Sequence, residues 1–349
     1  MNPLVPKKCT YPGEQDSPTP PGRRSRNTPL AATSSQPAKV WLSVGGLLGG
    51  LLLCPAVALG YGQRAAVDLE GLRVAPGDQH LATVDLARVG KHGAWVPQAV
   101  LHYADRPVVL SCDGRCPVLG TVSLIEHRLT LDASVTVSLR ERVQLGMSLP
   151  VVLYQQSDRA VPDLLANVDG NPPVPQVAGL SDASLHAKVA FLPATWRFGA
   201  GLWTALSLPT GNGDSYIGTR LPAFTARLLG HAAVQSRITV AGGLGARFAA
   251  EEQILNLPSG IALTYNFGMQ AQLLGLASDE VPVFLLAEVY GQAYVHSTRD
   301  TGFPLEFLFA VKSEPAAFSL FVGAGGTIIP GAGSPDVRAL IGLGYRSKR

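Results

Sequence analysis

The sequence predicts an all-β fold, an antiparallel up-and-down transmembrane β-barrel of about 12 strands. Three observations carry this: strict apolar/polar alternation, segments long enough to cross a bilayer, and connections that alternate short and long. The clearest segment is RLTLDASVTVSLRERVQLGMSLPVVLY, residues 128–154. Leu129, Leu131, Ala133, Val135, Val137 and Leu139 alternate with Thr130, Asp132, Ser134, Thr136 and Ser138. A period of two is that of a strand with two unlike faces. Arg140, Glu141 and Arg142 break the pattern, and it resumes from Val143 to Leu153. The two halves form a long β-hairpin. Soluble strands run about five or six residues, whereas a tilted membrane strand needs about nine to eleven.

The same pattern places strands, in order, at 93–103, 121–139, 143–154, 182–192, 197–208, 221–230, 235–249, 259–274, 281–294, 303–312, 317–328 and 335–345. Short turns follow the even strands, at 140–142, 193–196, 231–234, 275–280 and 313–316. Longer polar or Gly/Pro-rich loops follow the odd strands, at 104–120, 155–181, 209–220, 250–258, 295–302 and 329–334. An even strand count with short turns on one side and long loops on the other is the pattern of outer-membrane barrels, and it puts both ends of the barrel in the periplasm.

Ahead of the strands the material changes. Residues 1–39 carry Pro and Ser clusters and no apolar period, which predicts no fold. They hold Lys7, Lys8, Arg23, Arg24, Arg26 and Lys39 against Glu14 and Asp16. VWLSVGGLLGGLLLCPAVA, residues 40–58, then supplies an apolar run and a small-x-small end. It reads as a signal peptide cleaved after Ala58, because its glycines, serines and AVA ending suit export better than a membrane anchor. Removing 1–58 takes six of the 28 basic residues and two of the 25 acidic ones, so the exported part is close to neutral. Nucleic acid loses its compositional support as a partner. Residues 59–92 show no long alternation, and are expected to be a periplasmic segment or a small plug ahead of a barrel at 93–345.

Of the four cysteines, Cys9 and Cys54 fall in the leader. Cys112 and Cys116 share the loop SCDGRC; a close pair in an exported chain is most simply a disulfide. A metal site would need further ligands, and that loop holds no His or third Cys.

The two faces of the strands differ. One carries Leu185, Val189, Phe198, Leu202, Leu244, Phe267, Leu285, Phe309, Ile341 and their kin, and is expected to face lipid. The other carries His102, Arg128, Asp132, His186, Lys188, Arg197, Arg227, Arg237, Arg247, Glu288, Glu306, Lys312 and Arg338. Inward ionisable groups on strand after strand are costly in a dry core and normal in a wet lumen. Tyr103, Tyr154 and Tyr294 fall near outer strand ends, Trp196 and Tyr345 near inner ones, as two aromatic girdles would.

Three phrases then become informative: VDLEGLRVAPGDQHLATVDLARVGKHGAW, LTLDASVTVSLRERVQLGMSLPVVLYQQSD, and LHAKVAFL with LSLPTGNGDSYIG. They resemble the barrel portion of OmpA-like, porin-like bacterial outer-membrane proteins over about residues 66–345. Such proteins often also carry calcium-binding repeats and a peptidoglycan-binding domain. The matching phrases include neither, so neither activity is carried over.

Motifs of catalysis are missing: no GxSxG elbow, HExxH or phosphate-binding loop. A twelve-stranded outer-membrane lipid hydrolase would need a Ser/His/Asn site. His296 and Ser297 adjoin directly, so on a strand they would point to opposite faces. The expectation is therefore a non-enzymatic barrel, without cofactor or metal, in the bacterial outer membrane. Its partners would be outer-membrane lipid and small solutes. Arg128, Lys188, Arg197, Arg227, Arg237, Arg247, Lys312 and Arg338 outnumber Asp132, Glu288 and Glu306 on the lumen face, which predicts a preference for anions. The alternative is a barrel closed by its own side chains, since twelve strands lie between a filled barrel and an open pore.

Overall fold

In the computed structural model, the described residues are 72–77, 79–112, 120–158, 161, 177–212, 216–219, 221–249, 260–274, 281–295, 303–331 and 333–347. The strands are β1 (Trp95–Cys112), β2 (Gly120–Leu139), β3 (Val143–Gln156), β4 (Gly179–Leu180), β5 (Ser184–Ala190), β6 (Phe198–Ser207), β7 (Ala223–Gln235), β8 (Ile238–Phe248), β9 (Ala262–Leu274), β10 (Val283–Tyr294), β11 (Leu305–Ser313), β12 (Phe318–Ile329) and β13 (Val337–Tyr345). Each pairs antiparallel with its sequence neighbour, except where β3 passes β4 to reach β5. The two-residue β4 lies on the same edge of β3 as β5, offset by one residue, so the two make one interrupted wall element. The ladder between β1 and β13, from Gln98↔Gly344 to Asp105↔Val337, closes a ring of twelve. Closure leaves no strand edge unpaired, which is what lipid requires of a spanning sheet.

Alternation fixes the faces. Leu185, Phe198, Leu228, Leu244, Phe267, Leu285, Phe309, Val322 and Ile341 are all exposed on the outer wall. Around the short-turn end, Trp95 and Phe318 pack against Tyr345, and Trp196 against Phe198. Tyr294, by contrast, is buried.

Two boundaries move. β1 continues nine residues past Tyr103, so that tyrosine sits mid-strand. Asp105-Arg106-Pro107 reads as a loop in the sequence but forms a bulge: the register shifts between Asp105 and Val108, and Arg106 takes φ +46°. A bulge absorbs the extra residue and lets pairing resume beyond it. Likewise β7 runs through His231–Val234, expected to be a turn, and reverses at Ser236-Arg237. HAAV holds no turn-forming residue, and His231 pairs in register with Gly199 of β6 and Ala241 of β8.

Residues 72–90 lie inside the ring. Side chains from β1, β3, β5, β9, β10 and β11 all hydrogen-bond this segment, and only an interior position can reach them all. It folds on itself through an antiparallel bridge between His80 and Asp85 and the bonds Leu81 N–H to Val84 O and Leu86 N–H to Gln79 O. Leu72, Leu81, Val84 and Leu86 pack against inward Val100, Leu286, Leu308, Phe321 and Leu340. This side of the interior is thus an apolar core. The sequence reading of a wet lumen face does not hold from β10 through β13 to β1, because the segment supplies apolar partners there.

Candidate functional site

The inward charges sort into two groups by height. The first group lies toward the short-turn end and holds the inner segment. Glu288, mid-way along β10, accepts the Ala82 N–H at 2.6 Å, the Thr83 N–H at 2.8 Å and the Thr83 hydroxyl. Lys188 on β5 donates to Asp85 at 3.0 Å. Lys312 on β11 donates to the His80 carbonyl at 2.8 Å and pairs with Glu314 at 2.9 Å. Gln98 accepts the Gly77 N–H, and Gln144 donates to the Pro76 carbonyl. Lys188 and Lys312 are at most 2% exposed, so each ammonium depends on these partners for solvation. His80, fully enclosed here, is held well below the ordinary histidine range by burial first, then by Lys312 and Lys188.

Toward the long-loop ends of β11 and β13, Arg338 Nε donates to Glu306 at 3.0 Å, and the Tyr290 hydroxyl donates to the same oxygen at 2.9 Å. This is a buried, hydrogen-bonded pair within the wall, and such pairs fix geometry more than they add stability.

The second group lies toward the long loops. Here the ring and the inner segment enclose a cavity of about 80 Å³. Arg227 of β7 and Arg247 of β8 reach it from the wall, and Arg73 from the inner segment. The Arg227 guanidinium lies 5.0 Å from the Trp203 ring centroid, and its Nε donates to Thr264 at 3.3 Å. Trp203 stacks in turn on His186, centroids 6.4 Å apart. Asp132, on the far wall, pairs with His102 at 3.1 Å. Gly146 makes the His186 position possible: a Cβ there would fall 2.3 Å from His186 Nε2.

Beyond the cavity the outer loops are tied down. Arg128 on β2 donates to Gln155 at 2.8 Å and to the Tyr216 carbonyl. Asp182 accepts the Gly211 N–H, the Thr219 N–H and the Thr219 hydroxyl at 3.0, 2.7 and 2.6 Å. Tyr216 is buried beneath this loop, and burial pushes its phenol up to about 12.

Of the residues expected on the lumen face, Arg128, Asp132, Lys188, Arg227, Arg247, Glu288, Glu306, Lys312 and Arg338 point into the ring. Arg197 and Arg237 do not. Arg197 precedes β6 and Arg237 sits in the turn between β7 and β8; both are exposed. Alternation carried one residue past each strand end made them look inward. Trp203 and Arg73 are not among the residues that the sequence places on the lumen face. A large aromatic between Gly201 and Ala205 on an inward face of small residues was the available signal for Trp203; Arg73 offered none. Cys116 and the Cys112 side chain lie outside the described residues, as do His296 and Ser297. Among the described residues no three His, Cys, Asp or Glu are grouped to hold a metal ion.

No protein-family model matches the sequence, and no curated protein does. Solved structures are similar in fold. An outer membrane channel from Pseudomonas putida F1 superimposes with a TM-score of 0.52 at 12% identity, over 79% of this chain and 100% of that one. The fold is that of an outer-membrane β-barrel. A toluene transporter from Ralstonia pickettii matches 74% of this chain and 90% of its own at 8% identity and TM-score 0.36. A FadL homologue from Pseudomonas aeruginosa matches 73% and 89% at 10% identity and TM-score 0.33. At those two scores nothing about this chain follows.

Proposed function

We propose that the chain is a bacterial outer-membrane channel that passes small solutes and prefers anions, with no enzymatic activity. The observation that carries this is the cavity in the long-loop half of the ring, with arginines from two strands and from the inner segment on its wall. Fixed cations in a low-dielectric wall raise the local concentration of anions. The preference rests on these arginines rather than on a count of inward charges. Two of the eight expected cations, Arg197 and Arg237, lie outside the ring. The P. putida channel, alike in fold, supports the transport reading. The phrases that resemble OmpA-like barrels belong to the alternative, a closed barrel acting through its loops. One observation favours that alternative: residues 72–90 fill the short-turn half of the interior.

Swelling of liposomes containing the purified protein separates the two. The channel reading predicts swelling in isosmotic sodium acetate that exceeds swelling in a neutral solute of the same size. No swelling in either medium would leave the closed barrel.

A further inference from the structure

We infer that the cavity is a binding site for a short-chain carboxylate anion, held between Arg227 and Arg247 with Trp203 as a further donor. This deepens the channel reading and rests on it for its biological use. Three features of the site point to an oxyanion. Arg227 of β7 and Arg247 of β8 line one space, with Arg73 from the inner segment. A guanidinium presents paired donors matched to a carboxylate. Trp203 Nε1, an obligate donor, has no hydrogen-bond partner within the protein although its side chain is more than nine-tenths buried. A buried donor without a partner costs about 1–3 kcal/mol, which a bound acceptor would relieve. Among the described residues lining the cavity Asp132 is the one acid, and it pairs with His102.

The size and the rest of the wall narrow the class. A cavity of roughly 150 Å³ takes benzene. This one, at about 80 Å³, takes a body of a few carbons. Leu72, Val100 and Pro150 give that body an apolar surface. A short monocarboxylate matches both ends.

The test uses the full-length protein folded in detergent, with propionate as the probe and saturation-transfer NMR as the readout. Propionate is expected to bind, and propionamide, the same shape without charge, to bind at least about tenfold more weakly. Benzoate is expected to bind more weakly than propionate because it is too large. Arg227→Gln and Arg247→Gln should each weaken propionate about tenfold, and Trp203→Phe, which keeps the ring stack and removes only the N–H, about threefold to tenfold. Heat-modifiable gel migration checks that each variant is folded, and the propionate–propionamide comparison needs no variant. Equal binding of the acid and the amide, or folded arginine variants that bind as the wild type does, would overturn the inference. Conductance is read separately. A protein that conducts anions but does not distinguish propionate from propionamide loses the site and keeps the channel. One that binds propionate and never conducts keeps the site and loses the channel.

Discussion

Replacing Glu288 with alanine should release the inner segment while leaving the barrel closed. The carboxylate accepts two backbone N–H groups and one hydroxyl, from Ala82 and Thr83, in a site without water access. Hydrogen bonds to a charged acceptor contribute about 1.5–3 kcal/mol each, and they do not add when they share one acceptor. The orphaned donors would add a desolvation cost, so a loss of about 3–4 kcal/mol of docking free energy is reasonable. At 1.4 kcal/mol per factor of ten, local opening becomes more frequent by roughly two to three powers of ten. Glu288→Gln keeps one acceptor oxygen and should show a smaller effect, about tenfold. A cysteine placed at Ala75, buried in the inner segment, reports opening through its rate of maleimide labelling in a background without the native cysteines. Slow labelling with Glu288, and labelling at least a hundredfold faster with alanine in protein that still shows heat-modifiable migration, is the expected result. Equal rates would mean that Glu288 does not hold the segment, and the reading of residues 72–90 as a docked inner element would fail.

Further outcomes follow from other parts of the structure. Arg140 and Glu141 both take positive φ in the β2–β3 turn, which costs L-residues about 1–2 kcal/mol each, so replacement by Asn-Gly should raise stability to urea by about 1 kcal/mol. His80, beside Lys312, Lys188 and Gln98, is held neutral when docked. The undocked segment therefore binds a proton that the docked one does not. Docking is complete above the ordinary histidine value of about 6.5 and weakens by up to about 1.4 kcal/mol for each pH unit below it, so labelling at Ala75→Cys, divided by the rate of free cysteine at the same pH to remove the thiolate dependence, should rise on acidification, and His80→Asn should flatten the profile. Cys112 and Cys116 are expected to form a disulfide, read as a mass two hydrogens lighter in non-reduced protein; two freely alkylated thiols would exclude it.

The barrel was legible because its signal is local. In β2 and β3 each residue declares its face by parity alone, and the charged turn between them is visible as a break in period. The same parity puts Lys188, Glu288 and Lys312 inside. What they bond to was not legible. Asp85 lies 103 residues from Lys188, and Ala82 206 from Glu288, so no periodicity links them. Residues 72–90 gave no strand signal since they fold as bridged turns against the wall. The one hint lay in β11, LEFLFAVKS, where Leu308 and Ala310 make the inward face apolar between Glu306 and Lys312. A strand apolar on both faces needs an apolar partner inside the ring. The misplaced turn at His231–Val234 and the misassigned Arg197 and Arg237 share one cause: alternation fades at strand ends, where hydrogen bonding decides the boundary.

Single-channel recording across a planar bilayer with a potassium chloride gradient tests the central claim most directly. Small conductance steps are expected, with a reversal potential on the chloride side that moves toward the cation side in Arg227→Gln/Arg247→Gln. A reversal potential on the potassium side for the wild type, or a silent bilayer with correctly folded protein inserted, would contradict it.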